Sequence, residues 1–138
     1  MANNYGPGTY TIKLNDCGKP SLYAPGRAEP LDDPQFESFG NSSFFFQILD
    51  PIITFAEEQP ITWGELESEP EPRGNCHQTV KELGILILNV MPSQAVKPIS
   101  PTYHFRLHLN VGGIPDVLWT ADGSRPLDPT IVENPPNG

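Results

Sequence analysis

Three features of this sequence predict an all-β fold, an antiparallel β-sandwich or jelly roll of seven or eight strands. The first is the stretch Thr102–Val111, where Tyr103, Phe105, Leu107, Leu109 and Val111 alternate with His104, Arg106, His108 and Asn110. Alternate side chains of a strand point to opposite faces, so one face is apolar and the other polar. The second is proline, 17 in 138 residues. Each removes a backbone donor and is barred from a helix interior, which leaves room for at most one short helix. The third is the set of seven Phe, four Tyr and two Trp, far too aromatic for a disordered chain.

The length suits one domain with a single core. We divide it into an irregular N-terminal arm (1–8), a sandwich core (9–125) and an extended Pro-rich C-terminal arm (126–138). Tyr10, Ile12 and Leu14 share one face of a first strand from Thr9. Residues 19–34 carry four prolines and are expected to run extended over the surface. The dense run Phe44-Phe45-Phe46-Gln47-Ile48-Leu49 fits a buried strand, and short strands follow around Ile53 and Ile61.

Residues 65–72 hold four glutamates and two prolines, Glu65, Glu67, Glu69, Glu71, Pro70 and Pro72, a composition that favours an extended solvated loop. Asn75 offers an N-cap for a short helix ending at Gly84, with one long strand kinked at Gly84 as the rival. Residues 85–90, apolar on both faces, read as the central buried strand. Gly112-Gly113 turns the chain into a strand from Ile114 to Trp119. Pro30-Leu31-Asp32-Asp33-Pro34 echoes Pro126-Leu127-Asp128-Pro129, which would let two arms dock in similar grooves, but two copies of three common residues do not make a repeat protein, and chance is the expected account.

A net charge of −9 repels polyanions and leaves no basic stripe, so neither nucleic acid nor an anionic membrane is an expected partner. The first ten residues lack the basic start and apolar run of a signal peptide, and no apolar stretch is long enough to span a bilayer. Cys17 and Cys76 read as free thiols and lack zinc-type spacing.

No cofactor and no metal are expected. His104 and His108 lie four residues apart on the polar face, about 13 Å at ~3.3 Å per residue, too far to share an ion. Cys76-His77 has no triad context. Carboxylate pairs such as Glu57-Glu58 and Asp32-Asp33 are what any acidic chain offers, so hydrolysis is a weak third reading. Asp116, Asp122 and Asp128 lack the spacing of a Ca²⁺ loop.

His104, Arg106 and His108 instead suggest a strip for carboxylates, with Arg106 as a bidentate fork and the residues Glu65, Glu67, Glu69 and Glu71 of another copy as its counterpart. The expected function is therefore non-enzymatic: a structural protein of a larger assembly, a virion component such as a capsid decoration or baseplate protein made in the host cytoplasm. It would act through homo-oligomer and arm contacts. The alternative is a carbohydrate- or small-ligand-binding module using Trp63, Tyr103 and Trp119, although each lies among apolar residues that favour core packing.

Overall fold

The computed structural model of the chain describes residues 4–63, 76–90 and 102–134, with the backbone alone at 76–77 and 133–134. These residues are nearly all β. In chain order the strands are β1 (Asn4–Tyr5), β2 (Gly8–Leu14), β3 (Pro20–Tyr23), β4 (Gln35–Phe39), β5 (Ser42–Ile48), β6 (Ile53–Phe55), β7 (Ile61–Trp63), β8 (Cys76–Val80), β9 (Ile85–Val90), β10 (Thr102–Val111), β11 (Ile114–Val117) and β12 (Thr130–Asn134). One sheet runs β3-β2-β5-β9-β8; the other runs β1-β4-β12-β10-β11, with β6 and β7 also on β10.

β10 holds the larger sheet together because it is longer than any of its neighbours. Its first third pairs with β12, its middle with β7, and its last residues with β6 and β11 from opposite edges. The amides of Phe105 and His108 are three apart and so leave opposite edges; they donate to the carbonyls of Pro129 and Pro60. Inward-facing Phe105, Leu107 and Leu109 are buried as their alternation predicts, and Gly112 and Gly113 take the left-handed φ of 58° and 82° that the hairpin tip requires.

The core lies between the sheets. Phe36 of β4 is fully buried, its ring 4.9 Å from Tyr10, 5.5 Å from Phe44 and 6.0 Å from Phe105 in tilted and edge-on geometries, so the aromatic residues of both sheets meet at one point. Leu22, Leu86, Leu88 and Ile131 extend the same cluster.

Several expectations are corrected. The sheets are mixed and not wholly antiparallel: β2 runs parallel to β5, and β4 runs parallel to both β1 and β12. Parallel neighbours need a crossover, and the chain supplies one by leaving the smaller sheet after β3, laying β4 in the larger, and returning as β5.

The C-terminal segment is no arm over the described part of 126–138. Thr130, Ile131 and Val132 are β-branched, Ile131 and Val132 are buried, and β12 fills the space between β4 and β10. Pro129 stands just before the strand, where its missing donor costs no ladder bond. The N-terminal arm is likewise tied down from Asn4. β1 lies on the edge of β4, and the Tyr10 hydroxyl, its pKa pushed up to about 12 by burial and then by Tyr5, donates to the Gly6 carbonyl at 2.5 Å.

Residues 20–23, expected on the surface, form a wholly buried edge strand whose carbonyls at Pro20 and Leu22 accept from Trp119 and Leu31. The expected helix before Gly84 is one 3₁₀ turn (Lys81–Leu83) stopped by the left-handed Gly84; it links the hairpin of β8 and β9. β9 is next to the sheet edge, with Leu86, Leu88 and Val90 inward, and β5 takes the central place.

Candidate functional site

The polar face of β10 is the site the alternation singles out, and neighbouring strands complete it. In register, Thr130 lies opposite His104, Thr62 opposite Arg106 and Val117 opposite His108. His104 Nδ1 is 3.1 Å from an oxygen of Asp128, with the two side chains 28% and 38% exposed. His108 Nε2 shares a 2.8 Å hydrogen bond with the Thr62 hydroxyl. Burial, followed by the charge of Arg106, holds the His108 pKa below its ordinary value, so this ring is neutral at neutral pH.

Arg106 is different. It is exposed, and among the described residues it has no ion pair. Both flanking histidines are engaged, so the guanidinium is the strip's available group for a carboxylate. The glutamates at 65, 67, 69 and 71 lie outside the described residues.

A cleft of about 990 Å³ adjoins the strip at His108, reaching Thr54, Asn110 and Asp116 and the exposed 2.7 Å ion pair of Glu57 with Lys81. The carboxylates that a hydrolase reading would use have other work. Asp33 takes both guanidinium nitrogens of Arg125; burial raises its pKa, but hydrogen bonds from Arg125 and the Asp128 amide outweigh that and lower it. Lys81 lowers that of Glu57. Asp122 is held at about 2 by the Ser124 hydroxyl and amide and by Thr120. Each shift is opposite to the one that makes a general acid. Among the described residues, no three His, Cys, Asp or Glu side chains converge on a possible metal, and no helix is long and apolar enough to cross a membrane.

No family model, curated protein or solved structure matches this chain.

The three aromatic residues of the alternative reading do not share a platform. Half-buried Trp63 packs 5.7 Å from Phe105, and Tyr103 packs against the core two residues earlier on β10. Trp119 bridges to Pro126, donates its indole N–H to Asp116 at 2.8 Å and carries Lys19 over its ring. Cys17 is an exposed free thiol beside the Asp122 carbonyl.

Sequence reasoning found the strip and missed its partners. Asp128 is 24 residues from His104, and Thr62 is 46 from His108, so no local spacing links them. The one available signal for Asp128 was its place in the Pro-Leu-Asp echo.

Proposed function

We propose that this chain is a non-enzymatic structural module of a larger assembly, of the kind that decorates a capsid or builds a baseplate, and that it docks a carboxylate-bearing segment of a protein partner on the outer face of β10. The carrying observation is Arg106, exposed and without an ion pair among the described residues, between two histidines already engaged by Asp128 and Thr62. In a chain of net charge −9, such a cationic spot faces acidic surfaces, including those of another copy. The acidic run 65–71 of a second copy is the partner that fits this chemistry.

The test is light scattering of the native protein across concentration, beside Arg106→Glu and Arg106→Lys. Charge reversal weakens self-association by at least about tenfold, roughly 1.4 kcal/mol, and the lysine variant falls between. Assembly of Arg106→Glu at wild-type strength, or a wild type that stays monomeric at every concentration, would sink the reading.

A further inference from the structure

We infer that residues 10–36 and 105–131 are two diverged copies of one chain segment, a β-hairpin, a return loop and a strand, whose strand stays in the hairpin's sheet in the second copy and crosses to the other sheet in the first. The inference is independent of the function proposed above. It starts from the Pro-Leu-Asp echo, which the hydrogen bonds extend well beyond three residues.

Two of the four residue pairs of each hairpin coincide. Adding 95 to residue numbers in β2 and 96 to those in β3 carries Lys13↔Ser21 onto His108↔Val117, and Leu14↔Pro20 onto Leu109↔Asp116. The one-residue difference sits at the hairpin tip.

The return loops then keep the shift of 96. Leu31 donates its amide to the Leu22 carbonyl at 2.7 Å, and Leu127 donates to Leu118 at 2.9 Å. Within each loop, a turn closes at the equivalent place, from Arg27 to Ala24 at 3.1 Å and from Gly123 to Thr120 at 2.9 Å. After the loops, the first unit has one extra residue, Asp33, and the shift returns to 95. Phe36 is thereby equivalent to Ile131, and these two stand side by side in the parallel pair β4 and β12.

Sequence and burial follow the same alignment. Leu14 matches Leu109, Leu22 matches Leu118, and the run Pro30, Leu31, Asp32, Pro34 matches Pro126, Leu127, Asp128, Pro129. Ile12 and Leu107, Leu22 and Leu118, Leu31 and Leu127, and Phe36 and Ile131 are buried in both units. Packing two sheets asks only for alternating apolar residues. It gives no reason for two distant loops to close on equivalent leucines, with an inner turn at the same place though its left-handed glycine is third in one (Gly26) and fourth in the other (Gly123), and to lead into strands paired in register. Common origin gives that reason.

Asp33 shows how the copies came to differ. It has a left-handed φ of 43°, and its carboxylate takes Arg125 and the amide of Asp128, both in the second unit. The added residue of one copy fastens it to the other.

Equivalent loops are exchangeable, which is the test. Residues 24–30 are replaced, seven for seven, by the sequence of 120–126, which brings its own glycine and its own Thr120 to Asp122 hydrogen bond. A control carries the same seven residues in scrambled order. Circular dichroism and thermal melting are expected to show the exchanged loop within about 5 °C of wild type and the scrambled loop well below it. An exchanged loop that melts no higher than the scrambled one overturns the inference, whether both are low or both near wild type.

Discussion

β2, which opens the first unit, turns Thr9, Thr11 and Lys13 outward, where β10, which opens the second, turns His104, Arg106 and His108, with Thr9 and His104 just ahead of the units' bounds. Their inward residues correspond: Tyr10 with Phe105, Ile12 with Leu107, Leu14 with Leu109. Packing against the opposite sheet restrains the inner face, because volume and rotamer must suit neighbours that cannot move independently. The outer face is free of that restraint, and there the second unit has acquired a cation between two engaged histidines. The tips diverge too. Asn15 is buried and ties the first tip, its amide donating to Ser21 at 2.8 Å and its carbonyl accepting from Cys17 and Lys19. Its counterpart Asn110 faces the cleft, where the tip is a tight glycine turn that needs no such tie.

The comparison is sharpened most at its shared centre. Phe36→Ala removes the ring on which both sheets' aromatic residues converge and is expected to cost about 3–5 kcal/mol, against about 1 kcal/mol for trimming its neighbour by Ile131→Val. Urea unfolding measures both, and equal losses would mean that the two positions contribute alike.

A smaller effect separates the tips. Asn15→Ala leaves loop amides without their acceptor and is expected to cost about 2 kcal/mol, whereas Asn110→Ala stays within about 0.5 kcal/mol. Chemical denaturation of the two variants in parallel tests this, and similar costs would place the tie elsewhere.

The smallest effect lies on the outer face. His108 has a lower pKa folded than unfolded, so the unfolded chain takes the proton first. Stability therefore rises with pH through the window below about 6.5 and is lost as pH falls through it. Solvent screening keeps the contribution under about 1 kcal/mol. His108→Gln should flatten the stability profile in the window below about pH 6.5, while Lys13→Gln at the equivalent place on β2 should leave the slope unchanged.

What could be read from the sequence was local. Thr102–Val111 declared its bounds and its buried face, because alternation is a property of consecutive residues. Strand direction is not, so nothing in residues 8–14 or 42–48 told that β2 and β5 run parallel. Prolines misled twice, at Pro20 and Pro129, since each stands at a strand's first residue or just before it. The site was half visible for the same reason. Arg106 and its histidines are neighbours in sequence, whereas Asp128 and Thr62 reach them only through β12 and β7.

β12 enters between β4 and β10, two strands made before it. While the chain is being synthesised, both flanking edges stand open, with unpaired amides and carbonyls, until residues 130–134 leave the ribosome. The larger sheet is therefore closed by its last described strand, after translation of everything it joins.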